Sequence, residues 1–164
     1  MQIRKTLETD IDAVMAIFDT ARAFMRAHGN LEQWPVGTPS RTAVEADVAV
    51  GGSYVCEEDG RVVATFAFLP GPDPTYAQIE GEGWHGDGDY AVLHRVASDG
   101  STCGVTAAMF AFAKERAPML RIDTHADNRP MQGAILKGGF RRCGTIRLAN
   151  GDARVAFDWI DDGR

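Results

Sequence analysis

The sequence predicts an α/β (α+β) fold, a mixed sheet with helices on its faces, and three observations carry that expectation. A strand, a glycine turn, a helix and a second strand occupy residues 90–125: Tyr90-Ala-Val-Leu-His-Arg-Val-Ala97, Ser98-Asp-Gly-Ser-Thr-Cys-Gly104, Val105–Ala117 and Leu120-Arg-Ile-Asp-Thr-His125. Two apolar strands joined through one helix pair in parallel with a right-handed crossover. A hairpin signal, Glu58-Asp59-Gly60, separates two further apolar runs. An apolar stripe at helical spacing, Ile11, Val14, Met15, Phe18, Ala21 and Met25, fills the early chain.

The elements follow in order. Ile3-Arg-Lys-Thr-Leu7 reads as a short strand, and Thr9-Asp10-Ile11-Asp12 starts a helix with a capping hydroxyl or carboxylate, running to about Ala27. His28–Pro39 is a turn-rich crossing. Ser40 caps a second helix, Arg41 to about Val50, which Gly51 and Gly52 stop. Ser53–Glu57 and Arg61–Phe68 form the hairpin. Tyr76–Asp89, polar, glycine-rich and acidic, reads as a loop. Asn128–Lys137 is a helix that tolerates Pro130 in its first turn, and Gly138-Gly139 ends it. Phe140–Leu148 and Ala153–Trp159 pair about Asn150-Gly151. No repeat or linker divides the chain, so residues 1–164 are expected to form one domain.

Composition narrows the function classes. With 45% hydrophobic and 24% charged residues, the chain is of the soluble globular kind. No apolar run approaches the ~20 residues of a membrane span, and the N-terminus lacks a secretory core, so a cytoplasmic location is expected. A formal net charge of −6 argues against nucleic acid as a partner. Cys56, Cys103 and Cys143 are odd in number and widely spaced, which suits a reducing compartment and neither a disulfide framework nor a zinc ribbon.

The turn at Ser98–Gly104 leads into a helix start, whose amides and roughly half a positive charge can hold a diphosphate. Ser101 and Thr102 offer hydroxyls, and the same residues equally suit plain helix capping. His94-Arg-Val-Ala-Ser-Asp-Gly100, the stretch Arg121–Gln132 and Phe140 with Cys143-Gly144 together resemble the GNAT superfamily of acyl-CoA-dependent N-acetyltransferases, in an uncharacterised bacterial branch. The resemblance covers essentially the whole chain. It implies a mostly antiparallel sheet of six to seven strands, a central parallel pair splayed apart, and about four flanking helices.

It also implies a cofactor site for acetyl-CoA, with no metal. Val96, Ala97 and Ser98 match the strand that binds pantetheine. Ser101, Thr102, Cys103, Gly104, Val105 and Thr106 match the diphosphate turn, with one glycine kept and the family's basic residue missing. Asn128 matches a cofactor-side asparagine, and Gly139-Phe140 the helix-ending pair. The tyrosine that usually protonates the departing thiolate is replaced by Ile135. Water, Tyr54, Tyr90 or Cys143 then remains as proton source, or the transferase function has decayed into a non-catalytic acyl-CoA-binding module.

A lysine-like amine, with pKa ~10.4, is neutral to about one part in a few thousand at pH 7, so a base or desolvation is needed. His94 is the first candidate base. Strand parity with Val96 and Ser98 would aim it at the thioester, although a core histidine satisfied by one hydrogen bond fits as well. Trp34 either walls the acceptor site or anchors the crossing. Glu80 and Trp84, in an acidic loop with Glu82, Asp87 and Asp89, form a rim that would attract a cationic amine, or a solvated loop. His125 either lines the cleft or caps a turn. His94, Asp123 and His125 could in principle hold a metal, the basis of a rival metal-dependent hydrolase. Cys103 at a helix start is read as packing or incidental. The expected acceptor is a small-molecule or peptide amine, and a homodimer through the last strands is an expected option.

Overall fold

A computed structural model of the chain describes residues 1–163. Seven strands form one sheet: β1 (Gln2–Lys5), β2 (Ser53–Glu58), β3 (Arg61–Pro70), β4 (Ala91–Ser98), β5 (Met119–Thr124), β6 (Arg141–Arg147) and β7 (Ala153–Ile160), in the order β1-β2-β3-β4-β5-β7-β6. Four α-helices accompany them: α1 (Ile11–Ala27), α2 (Arg41–Ala49), α3 (Val105–Lys114) and α4 (Arg129–Lys137). Among the described residues, β4 and β5 are the one parallel pair and the other neighbours are antiparallel. Among the described residues no helix is long and apolar enough to cross a membrane.

Alternation along the strands sorts the core. Ala91, Leu93, Leu120, Ile122 and Phe157 face α3, whose Val105, Met109, Phe110 and Ala113 cover them. On the opposite face Val55 and Ala97 pack under the α1 stripe and Val44 of α2. The α1 stripe thus does what its spacing foretold. Ser40 caps α2 through its hydroxyl, accepting from the Ala43 amide at 3.1 Å. Asp10 behaves differently from the expectation. Its carboxylate turns back to the Leu7 amide (2.8 Å) and the Arg4 guanidinium (2.6 Å), and no side chain caps α1. The tight hairpin turn has Asp59 and Gly60 both at positive φ (51° and 75°), as a two-residue turn between twisted strands requires.

Two departures from regularity matter for function. β4 and β5 pair at Ala91–Leu120, Val92–Arg121 and Leu93–Ile122 and nowhere beyond. From there β4 follows β3, with Thr65 opposite Ala97 and Ala64 opposite Ser98, while β5 follows β7 through Thr124–Val155. The sheet therefore opens into a wedge past Leu93 and Ile122. The second departure is a bulge in β4: Ala67 pairs with His94 and Thr65 with Ala97, leaving Phe66 opposite both Arg95 and Val96. Arg95 sits at φ 51°, an unfavourable value for a residue with a Cβ. Its guanidinium is held by both carboxylate oxygens of Asp47 in α2, at 2.7 and 2.8 Å.

Candidate functional site

The wedge opens onto two cavities. One, about 520 Å³, lies where the crossing before α2 meets β4, β5 and the β6–β7 turn, and His94, Asp73, Asp123, Trp34 and Arg154 border it. The other, about 300 Å³, runs between α1 and the β4 end, along Val96, Ala97, Ser98 and Gly100 to Thr106, with Phe24 and Met25 opposite. Val96, Asn128 and Met131 border both. A molecule in the narrow groove can reach a molecule in the larger cleft at this shared mouth.

The bulge changes how β4 presents its side chains. Parity from His94 to Val96 and Ser98 is broken by the extra residue. His94 and Ala97 share the α1–α2 side, whereas Val96 packs with the α3 cluster. His94 borders the larger cleft and not the groove along Val96–Ser98. The reach from His94 to the groove therefore runs through the mouth and not along one strand face.

His94 is not a lone histidine. Its Nε2 lies 2.7 Å from Asp73 Oδ2, and its Nδ1 lies 4.0 Å from Asp123 Oδ2, beyond hydrogen-bond range. Asp73 starts the 3₁₀ turn Pro74–Tyr76 and also accepts from the Thr75 amide and hydroxyl, at 2.8 and 2.7 Å. The hydrogen bond from His94, outweighing partial burial, holds the Asp73 carboxyl well below the usual carboxylate range. An ionised Asp73 assigns the proton to Nε2 in the neutral imidazole and leaves Nδ1 with its lone pair toward the cleft. Tyr76, buried among Val92, Ile146 and Ala156, donates its hydroxyl to Asp123 Oδ2 at 2.6 Å. Burial first, and the Asp123 charge second, push the Tyr76 phenol well above its ordinary value, so it stays a donor.

The turn before α3 has a character of its own. Gly104, at φ 76°, precedes the helix, and no side chain caps the first-turn amides. Plain side-chain capping, one of the two readings of this stretch, does not occur. Ser101 is spent locally: its amide and hydroxyl both donate to Asp99 Oδ1, at 2.9 and 2.5 Å. Gly100 donates to Ser98 Oγ at 3.2 Å. The free donors are thus the amides from Thr102 into the first turn, while the Val105 side chain packs in the core. Thr106 borders the groove; Thr102 and the exposed Cys103 do not. A positive charge lies beside the turn in Arg61 on β3, which donates to Asp99 (3.0 Å) and Ser101 (2.8 Å) and is paired with the Asp99 carboxylate.

Asn128 caps α4, accepting from the Met131 amide at 3.2 Å, and donates to Gln33 Oε1 at 2.9 Å. Gln33 Oε1 also accepts from Asn30 at 2.8 Å, so one amide oxygen ties the crossing to the mouth. Trp34 borders the cleft and stands edge-on to Phe18, centroids 5.4 Å apart, so it both walls the site and anchors the crossing.

Several expected residues lie elsewhere. Glu80 pairs with Thr145 of β6 and with Arg147 (3.3 Å), and Trp84 donates to the Tyr76 carbonyl (3.0 Å) beneath Arg121; neither borders the cleft. His125 accepts the Asp127 amide through Nδ1 at 3.0 Å, a turn cap, and does not join His94 and Asp123 in a metal-like cluster. Ile135 is fully buried in the α3 core. Among the described residues no tyrosine or cysteine borders either cavity, so Tyr54, Tyr90 and Cys143 stand apart from the place where a thiolate would leave.

A different cluster gathers three donors. His85 Nδ1, Cys143 Sγ and Asp158 Oδ1 lie within 4.8 Å of one another, a spacing that could take a metal ion. Hydrogen bonds already account for these atoms: His85 bonds Asp158 through Nδ1 and its amide, both at 2.7 Å, and Glu82 through Nε2 at 3.1 Å. Burial, with the Asp158 charge, pushes the Cys143 thiol up to about 12, and burial takes Cys56 to about 11. Both are packing cysteines at neutral pH.

Asp73, Tyr76 and Arg61 had no place among the site residues expected from sequence. Asp73-Pro74 carried a turn signal, which foretells the loop geometry but not that it ends on His94. Arg61 meets Asp99 only because β3 and β4 are neighbours.

No protein-family model and no curated protein matches the sequence. Solved structures do match. A GNAT-family acetyltransferase from Streptococcus agalactiae 2603 is 30% identical, with TM-score 0.86, over 97% of this chain and 94% of the other. A GNAT-family acetyltransferase from Listeria monocytogenes 4b F2365 is 14% identical, with TM-score 0.71, over 97% and 94%. The ribosomal-protein-alanine N-acetyltransferase of Brucella melitensis is 20% identical, with TM-score 0.64, over 98% and 99%. The last two bear on fold alone. With the splayed parallel pair and a relative of 30% identity along nearly its whole length, this chain belongs to the GNAT family of acetyltransferases.

Proposed function

We propose that the protein transfers the acetyl group of acetyl-CoA directly to a primary amine. The observation that carries this reading is the shared mouth at Val96, Asn128 and Met131, where two cavities of different character meet. The narrow groove fits a slender pantetheine arm against the edge of Val96–Ser98 that β5 leaves unpaired, with the diphosphate at the free amides from Thr102 to Thr106 and Arg61 nearby. The wider cleft takes the acceptor.

His94 Nδ1 accepts a proton from the attacking amine, and Asp73 holds the ring through Nε2 and stabilises the imidazolium that forms. Asp123 Oδ2, kept in place by Tyr76, sits 4.0 Å from Nδ1, and an ammonium group in that gap could donate to both. The amine nitrogen bonds the thioester carbon, the tetrahedral intermediate collapses with cleavage of the carbon–sulfur bond, and the thiolate is protonated through water, which recovers the proton from the His94 imidazolium. A thiol of pKa ~8.5 is an adequate leaving group without a tyrosine beside it. The test is thiol release from acetyl-CoA across an amine panel, alongside calorimetric binding of acetyl-CoA. The buried Ile135 favours one other reading, a non-catalytic acyl-CoA-binding module. Binding without thiol release across the panel would establish that alternative.

A further inference from the structure

Arg154 of β7 is 6% exposed, borders the acceptor cleft, and has no carboxylate partner among the described residues. Among the described residues its guanidinium donates only to two backbone carbonyls, Ala153 O at 3.0 Å and Gln33 O at 3.1 Å. The other arginine on the cleft, Arg95, is neutralised by Asp47. Asp152, on the same rim, accepts from Asn150 at 3.0 Å instead of pairing with Arg154. Burying a guanidinium without a counter-charge is costly, and an arginine left with unused donors facing a cavity has the fork geometry to take a carboxylate in two parallel hydrogen bonds.

The position of this charge is informative. Asp123 pairs with Ala156 across β5 and β7, which places Arg154, two residues along β7, on the same face as its diagonal neighbour. Such neighbours are about 7–8 Å apart. The cleft therefore holds two acidic groups, Asp73 and Asp123, at the His94 end and one uncompensated cation a short span away. An acceptor that carries a carboxylate close to its amine can therefore face the acidic pair with one end and the cation with the other. The reading rests on the acetyl-transfer function above. From this arrangement we infer that the acceptor is an amino acid: its amine lies between His94 and Asp123, and its carboxylate is taken by Arg154.

The test uses the full chain, acetyl-CoA, and acceptor pairs that differ only in the carboxylate: phenylalanine against phenethylamine, leucine against isopentylamine, lysine against cadaverine. The expected result is kcat/KM at least about tenfold higher for the amino acid in one or more pairs. Arg154→Gln should collapse that preference through KM, and Arg154→Lys should restore part of it. Acetylation of the plain amines equal to or better than that of the amino acids overturns the inference and leaves acetyl transfer standing. So does acetyl-CoA binding with no amino acid turned over. Failure of acetyl-CoA to bind in calorimetry overturns the underlying function as well. The wild-type comparison decides the matter even if an Arg154 variant does not fold.

Discussion

In the proposed mechanism the chemistry turns on His94, and its surroundings give the ring a direction. Asp73 holds Nε2, which leaves Nδ1 as the atom proposed to take the amine proton. His94→Gln is expected to lower kcat by about 10²–10⁴ while acetyl-CoA affinity stays unchanged, and the acid limb of the rate–pH profile should vanish with it. Unaltered steady-state rates across pH would remove His94 from the base role. Asp73 adds a stability prediction whose sign is set by its depressed carboxyl. Such a group stabilises the fold above its unfolded value, about 3.9, and that contribution is lost as pH falls through the lower folded value. Asp73→Asn should therefore cost stability at neutral pH, and the deficit should narrow below about pH 4, as read from denaturant midpoints. A deficit independent of pH would show that the His94 bond is not its source. The histidine was legible in the sequence; its partner was not. Asp73 lies 21 residues earlier in the chain, and only the pairing of β3 with β4 closes that distance.

Elements carry the next layer, and here two bulges re-aim side chains. The one in β4 overturned the simple period-2 reading of His94 and Val96. Nothing in His94-Arg-Val-Ala97 announces a left-handed Arg95, and the Asp47 that holds its guanidinium lies on a helix far upstream in the chain. The second bulge lies in β6 between Arg142 and Gly144 and brings Cys143 under His85. The loop before β4 is docked on it through Glu80, whose carbonyl oxygen would lie 2.0 Å from any Cβ at position 144, where φ is 148°. Gly144→Ala should cost about 1–3 kcal/mol in urea unfolding, and an unchanged midpoint would show the loop yields freely. His85 closes the same loop. The bond to Asp158, outweighing partial burial and helped by Glu82, raises its imidazole above the ordinary value. The tie is fully stabilising below about pH 6.5 and is lost as pH rises through the higher folded value. The melting-temperature gap between wild type and His85→Gln should be largest near pH 6 and shrink toward pH 9. A gap that widens with pH would reverse the assignment.

At the scale of the molecule, periodicity and turn chemistry located every strand and α-helix to within a few residues, because each is set by neighbours in sequence. The strand–turn–helix–strand unit fixed the parallel pair, and the family resemblance supplied its splay. The acidic loop lies away from the cleft for a physical reason. Its charges and Trp84 look outward in sequence, but pairing of Glu80 with β6 and stacking of Trp84 on Arg121 draw the loop onto the sheet, away from the cleft. Arg154 and Asp123 became neighbours only through the β5–β7 register. The central claim is that donor and acceptor enter from separate cavities and meet where β4 and β5 part. A crystal structure with CoA bound tests it most directly. The account places pantetheine along Val96–Ser98 with the sulfur at the mouth formed by Val96, Asn128 and Met131, open toward His94. Density for CoA in any other groove, or a β4–β5 gap closed over the sulfur, would contradict it.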